Sequence, residues 1–248
     1  MKKENILGFN VSNIKMDELV NLIFNDFDNN ISNFIVNINP EIIMNYRKNK
    51  EIIDIFNKET YQIPDGIGIV YASKIKKGNI KERITGIDLM EKLCEKSVNY
   101  DSRIFLYGGK EDVANNAKIE LEKKYNKINI VGTCNGYTDE NIVIDTINKS
   151  NANMLFVALG SPKQEQFIIN NRDKLSNIKL FMPVGGSLDV ISKSLKRAPN
   201  WTIKLHIEWL YRALRQPKRF FRIFKLFKFI FLILISKDNN GGKKSGKN

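Results

Sequence analysis

Cysteine and histidine are almost missing from this chain, with two Cys and one His in 248 residues. Cys94 and Cys134 show neither CxxC nor Cys/His ligand spacing, which excludes a disulfide scaffold, a redox pair and a structural zinc site. A reducing compartment and free thiols are expected. The single His206 has no Cys or His neighbours and reads as structural. Long apolar runs are missing as well. The uncharged stretch from Phe229 to Ser236 is far shorter than the roughly 20 apolar residues a spanning helix needs. No apolar run of helix length follows Met1-Lys2-Lys3-Glu4, so no secretion leader is expected. No complete GxGxxG or P-loop sequence occurs. The Asp-x-Asp motif Asp26-Phe27-Asp28 falls at the end of a helical stretch rather than after a strand. It reads as solvated surface, and no metal site is expected.

Negative charge is scarce at one end only. The formal net charge is +13, and from Lys196 onward fourteen Lys and Arg face only Glu208 and Asp238, so nearly all of the excess lies in this segment. A near-neutral body with a basic arm is suited to a surface of phosphates, either a membrane or a nucleic acid. From Phe220 the basic residues alternate with Phe, Ile and Leu and end in the aliphatic run Ile230 to Ile235, which favours the membrane over nucleic acid. At helical spacing Lys218, Arg222 and Lys225 share one face, and Phe220, Phe224, Phe227 and Phe231 share another. This is the pattern of a helix lying in the interface of an anionic membrane. Each Lys or Arg near such a leaflet contributes about 1 kcal/mol, so the six from Arg212 to Lys225 predict reversible docking. A basic face packed on the protein's own body is the alternative.

The body reads as α/β: a Rossmann-like parallel sheet with helices on both faces, arranged in two lobes, about 1–100 and about 101–195. A helical appendage follows over 196–236 and a disordered tail over 237–248. In the second lobe, strands Arg103 to Tyr107, Ile128 to Gly132, Met154 to Leu159 and Leu180 to Val184 alternate with helices Glu111 to Tyr125, Asn141 to Lys149 and one running to Arg172. Three of these strands run into small residues: Gly108-Gly109, Gly160-Ser161-Pro162 and Gly185-Gly186-Ser187. Ligands of such sheets bind beyond the carboxyl ends of the strands, where glycine lets backbone N–H groups approach a phosphate. Glycine also serves for tight turns alone. The first lobe gives strand Ile6 to Val11, helix Met16 to Phe27, strand Asn33 to Ile38, a helix opened by Pro40-Glu41 and strand Tyr61 to Ile63. Two further helices begin near Ile67 and Gly86. Asn37, Asn39 and Asp65 sit at its strand ends. Pro64-Asp65-Gly66 also suits a plain β-turn.

Several blocks occur in one order: Asn39-Pro40-Glu41, Pro64-Asp65-Gly66-Ile67-Gly68, Arg83 to Leu89, Phe105 to Gly109, Gly160 to Glu165, Val184 to Ser187, Arg197-Ala198-Pro199 and Trp209-Leu210-Tyr211-Arg212. The chain thereby resembles the WecG/TagA/CpsF family of bacterial glycosyltransferases, collinearly from about Ile6 to Arg222. The resemblance implies inverting transfer of a sugar from a UDP-sugar to a polyprenol-diphosphate-linked sugar at the cytoplasmic membrane face, without a cofactor. In its TagA-like branch, N-acetylmannosamine is added to undecaprenyl-diphosphate-linked N-acetylglucosamine for wall teichoic acid.

Inverting transfer needs one base for the acceptor hydroxyl, and Asp65 is the candidate. Departing UDP needs cations or dipoles, for which Arg83 and, by resemblance, Arg212, Arg219 and Arg222 are candidates. By resemblance Asn39 and Gln164 help to orient the sugars, with plain capping of element ends as the alternative; Tyr137, after Gly136, is a candidate to stack on or bond the nucleotide, with plain packing as the alternative. Gly108, Gly109, Gly160, Lys163, Gly185 and Gly186 are expected at the substrates. Asn37 stands where the family usually has Thr, which weakens any inference about the donor sugar. An appendage that closes over the site at the membrane is the resulting hypothesis. Self-association is left open, and so are another UDP-sugar and a non-catalytic phosphate-binding protein.

Overall fold

Strands β6 (Ile104–Gly108), β8 (Met154–Ala158) and β9 (Leu180–Pro183) are apolar nearly throughout, as strands covered on both faces must be, whereas β7 (Ile130–Cys134) at the sheet edge is half-buried beyond Ile130. In the computed structural model, which describes residues 1–199, 201, 202, 205, 208, 210, 211 and 220–236 (side chains of the last helix from Ile223), they form a parallel sheet. Its order is β3-β9-β8-β6-β7, where β3 is Asn33–Phe34 at the edge beside β9. Side chains alternate between two cores. Leu106, Met154, Phe156, Leu180 and Met182 meet α1 (Met16–Asp28), α5 (Gly86–Ser97) and α6 (Val113–Lys124) on one face. Phe105, Tyr107, Leu155, Val157 and Phe181 meet α2 (Pro40–Tyr46), α3 (Lys50–Lys58), α7 (Glu140–Lys149) and α8 (Lys163–Asn171) on the other. The α/β architecture is therefore the expected one.

Two expected strands are corrected. The stretch Ile6 to Val11 is a hairpin, β1 (Lys2–Ile6) and β2 (Phe9–Asn13), turning at Leu7 and Gly8 with φ of 51° and 98°. Gly8 takes the more positive angle, which costs a glycine little. The stretch Asn33 to Ile38 breaks at Ile35 into β3 and β4 (Val36–Ile38) because its partner changes. The Ile35 N–H donates to the Phe181 carbonyl and the Val36 N–H to the Tyr61 carbonyl, each at 2.9 Å. β4 then pairs in parallel with β5 (Gln62–Pro64) and leaves β9, opening a crevice between them. The buried Asn37 side chain spans it, donating to the Pro183 carbonyl at 2.7 Å.

The Asp-x-Asp motif also departs from expectation. Asp26 is half-buried and accepts from the Tyr61 hydroxyl at 2.6 Å and from Asn33 at 3.0 Å, while Asp28 is exposed. It is a structural brace between α1 and the strands. Two more helices complete the body, α4 (Ile67–Ile75) and the short α9 (Ser187–Ile191).

The basic arm contains helix α10 (Phe220–Ile235), packed on α2 and α4. Phe229 and Ile233 are each 1 % exposed, whereas Phe224, Phe227, Phe231 and Leu234 are each at least 60 % exposed. The helix is apolar on both sides, and Phe224, Phe227 and Phe231 of the expected Phe face lie on the outer one. Lys225 belongs to the inner side, donating to Asn45 Oδ1 at 2.6 Å, so at this residue the basic face packs on the body, as the alternative reading has it. No helix among the described residues is long and apolar enough to cross a membrane. The expected disorder of 237–248 and the role of His206 lie outside the described residues.

Candidate active site

A cleft of about 620 Å³ opens at the carboxyl ends of β4, β5, β8 and β9 and is roofed by α4 and α10. It brings together Asn37, Asn39, Asp65, Arg83, Gly160, Gln164, Gly185 and Gly186 of the sequence candidates.

Asp65 follows β5 directly. Its N–H is bound to the Ile38 carbonyl at 2.8 Å, which ties it to the end of β4, and Gly66 at φ 95° turns the chain into α4. Asn39 does two things at the end of β4. Its Oδ1 accepts from the Ile42 N–H at 2.9 Å, capping α2, and its Nδ2 donates to Asp65 Oδ2 at 3.1 Å. A cap residue with a spare amide donor therefore fixes the carboxylate.

Gln164 is engaged within the protein at both ends. Its Oε1 accepts from Gly160 N–H at 3.2 Å and Gly185 N–H at 3.0 Å, and its Nε2 donates to Glu165 Oε1 at 2.8 Å. It laces the ends of β8 and β9 together, and those two N–H groups are satisfied by its amide oxygen rather than turned to a ligand.

Arg83 and Thr85 form the facing wall with the start of α5. Thr85 caps α5, accepting from Asp88 N–H at 3.3 Å, while Asp88 takes hydrogen bonds from Thr85 and Arg197. Burial pushes the Asp88 carboxyl up, but those bonds and the charges of Arg197 and Arg83 outweigh it and hold it below the usual range. The root of the arm is thus tied to the cleft wall.

Sequence reading missed Glu165. It lines the cleft, is 2 % exposed, and its Oε2 has no hydrogen-bond partner. Burial pushes its carboxyl above the usual range despite the neighbouring Gln164 and Ser161 groups, with Glu41 adding to the rise. The available signal was its spacing from Ile168, which places it on the buried face of α8.

Gly108, Gly109, Tyr137 and Lys163 stand outside the cleft wall. A Cβ on Gly108 would lie 2.4 Å from the Ala158 carbonyl oxygen, and one on Gly109 2.6 Å from Val113, so strand and helix packing already account for both glycines. They nevertheless sit where the sheet order reverses, since β6 leads to β7 on one side and β8 lies on the other. Tyr137 is 78 % exposed beside them, in a loop whose Gly136 N–H donates to Gly109. Lys163 is exposed at the first turn of α8. Arg212 and Arg219 lie outside the described residues, as does the Arg222 side chain. Among the described residues, no three His, Cys, Asp or Glu side chains gather as a metal-binding group.

The family model described as glycosyl transferase WecG/TagA/CpsF matches residues 4–243. The chain belongs to this family. It is similar over most of its length to several named members. It is 36 % identical over 213 residues to a Bacillus subtilis protein, covering 86 % of this chain and 83 % of that one. It is also 34 % identical over 239 residues to a Staphylococcus aureus protein, covering 95 % and 93 %. Both are named N-acetylglucosaminyldiphosphoundecaprenol N-acetyl-beta-D-mannosaminyltransferase. A Bacillus spizizenii protein of the same name is 36 % identical over 208 residues, covering 84 % and 80 %. This glycosyltransferase thus has a cleft that joins a hydrogen-bonded carboxylate at one end to an apolar helix pair at the other.

Proposed function

We propose that this glycosyltransferase moves N-acetylmannosamine from UDP-N-acetylmannosamine to N-acetylglucosaminyl-diphosphoundecaprenol, building a wall teichoic acid linkage unit at the cytoplasmic face of the membrane. The transferred sugar and the acceptor are those in the names of its relatives, and UDP as the carrier is what the family resemblance implies. The observation that carries the chemistry is the 3.1 Å bond from Asn39 to Asp65 inside the cleft. Asp65 takes the proton of the acceptor hydroxyl as that oxygen attacks the anomeric carbon, with Asn39 holding the carboxylate in line. The bond from the anomeric carbon to the UDP oxygen breaks, UDP leaves with the electron pair, and the configuration inverts. Arg83, with Arg212, Arg219 and Arg222 of the arm, balances the diphosphate charge.

The nucleotide end runs from Gly160 toward Gly109 and Tyr137, a course supported by the reversal of strand order there. Gln164 positions the two strand ends, and Lys163 lies near the diphosphate. The buried Asn37 Oδ1 has no hydrogen-bond partner and offers one acceptor to the donor sugar. The outer arc of α10 enters an anionic membrane, supported by its exposed Phe224, Phe227 and Phe231 and by the basic excess of the arm.

The test is UDP release from UDP-N-acetylmannosamine with and without a short-chain lipid-diphosphate-N-acetylglucosamine acceptor, with mass analysis of the product. Acceptor-dependent release with a one-sugar mass gain is expected. Release from a different UDP-sugar alone would overturn the donor assignment.

A further inference from the structure

Between α4 and α10 the cleft is lined mainly by apolar side chains, unlike the polar strand ends where the sugars would sit. Helices α4 and α10 lie side by side and run the same way. A Cβ on Gly68 would lie 3.8 Å from Leu226, and at the other end Lys76 donates to the Ser236 carbonyl. Between these points the cleft is lined by Tyr71, Ala72 and Ile75 from α4 and by Phe229, Ile230 and Ile233 from α10. Its inner end begins at Asp65 and Gly66, which directly precede α4. At its outer end the lining emerges at the surface, where Tyr71 is 55 %, Ile75 46 % and Ile230 40 % exposed. On the helical wheel Ile230 adjoins Leu234 and Phe227 of the exposed outer arc. One apolar path therefore leads from the carboxylate to the surface that carries the exposed phenylalanines.

We infer that the trough between α4 and α10 is a binding subsite for the first isoprene units of the acceptor's lipid, drawing them out of the bilayer so that the attached sugar reaches Asp65. The inference rests on the acceptor class proposed above. The occupant follows from the trough itself. Tyr71, Ile75 and Ile230 carry no charge, so a phosphate or sugar would lose its hydration there, whereas a branched hydrocarbon gains by leaving water. Along the trough the side chains of Ala72, Ile75, Phe229, Ile230 and Ile233 are hydrocarbon, and Tyr71 adds its ring at the mouth. The sugar end of a prenyl diphosphate sugar is the part that must travel furthest in.

The test uses the full chain without vesicles or detergent and N-acetylglucosaminyl diphosphates carrying prenyl, geranyl or farnesyl groups. KM is expected to fall about tenfold or more from prenyl to farnesyl, and Ile75→Asn with Ile230→Asn is expected to collapse that farnesyl-to-prenyl preference toward one. Phe227→Ser with Phe231→Ser, outside the trough, should keep the preference while weakening vesicle binding. A KM independent of chain length in the native protein would overturn the subsite, and so would loss of the preference in the outer-arc variant alone. Photolabelling with a benzophenone-terminated farnesyl diphosphate separates this inference from the reaction assignment. Labels on Tyr71, Ile75 or Ile230 support the trough even where no sugar is transferred. Labels confined to Phe227 and Phe231 refute it.

Discussion

The cleft has two walls of opposite character. At the strand ends, polar groups of Asn39, Asp65 and Gln164 are engaged with named partners, as is Asp88 at the start of α5, and Gln164 alone satisfies two backbone N–H groups. The α4 and α10 wall is held by apolar contact, the Lys225 to Asn45 bond and the Lys76 contact to Ser236. The first wall is directional and fixes atoms to within a hydrogen bond. The second is non-directional and tolerates a ligand of variable shape. Chemistry belongs to the first wall and access to the second, so substitutions in the two should fail in different ways.

The largest expected effect is Asp65→Asn. It keeps the shape and the neighbours but removes the base, so kcat should fall by about 10² to 10⁴ while binding of UDP and the melting temperature stay near native. Single-turnover kinetics beside calorimetric titration with UDP would measure the split. Equal losses in both would mean that Asp65 binds rather than reacts.

On the other wall, Phe224→Ser, Phe227→Ser and Phe231→Ser combined remove three exposed rings without touching the buried Phe229 and Ile233. Fully burying a side chain of this size is worth about 1.5–3 kcal/mol, and partial insertion of three predicts at least about a hundredfold loss in affinity for anionic vesicles. Turnover of a water-soluble acceptor should persist. Sedimentation with vesicles, run beside that assay, checks both; unchanged sedimentation would place membrane binding elsewhere on the arm.

A smaller effect tests the precision of the polar wall. Asn39→Ser retains a side-chain oxygen to cap α2 but loses the longer amide whose Nδ2 reaches Asp65. Hydrogen bonds to charged groups contribute about 1.5–3 kcal/mol, so kcat should fall about ten- to a hundredfold with the melting temperature unchanged. Asn39→Ala should show the same kinetic loss and also lose about 1 kcal/mol of stability with the cap. A Ser variant with native kcat would reduce Asn39 to a cap.

The two walls also differ in how far they could be read from the sequence. The α/β rhythm, most strand and helix positions and the gathering of Asp65, Asn39 and Arg83 were legible, because turn residues and apolar runs mark strand ends locally. The hairpin at Leu7-Gly8 and the break at Ile35 were not, since both depend on which strand lies alongside. Glycine-rich strand ends look alike in sequence, yet Gly160 and Gly185 line the cleft while Gly108 is required where a Cβ would strike Ala158. The outer arc of α10 was legible from its period. Its inner face was not, because only the docked helix shows Phe229, Ile233 and Lys225 turned to the body.

Glu165 gives the smallest effect and the most specific one, because among the described residues it is the buried carboxyl of the polar wall with an oxygen left unbonded. Its folded value is raised, chiefly by burial, so between the ordinary glutamate value and the raised one the native state holds a proton that the unfolded chain has released. Stability therefore falls as pH climbs through that interval and is fully present below it. Glu165→Gln removes the titration while keeping the shape and the contact with Gln164. Melting temperature against pH should decline across that window in the native protein and lose that component of the decline in the variant. Tyr46 answers the same change: burial and Glu165 both push its phenol up, and removing the carboxylate should bring its titration partway back toward the usual range. If the native and variant curves run parallel, Glu165 is ionised in the fold and a partner for Oε2 must be sought within the cleft.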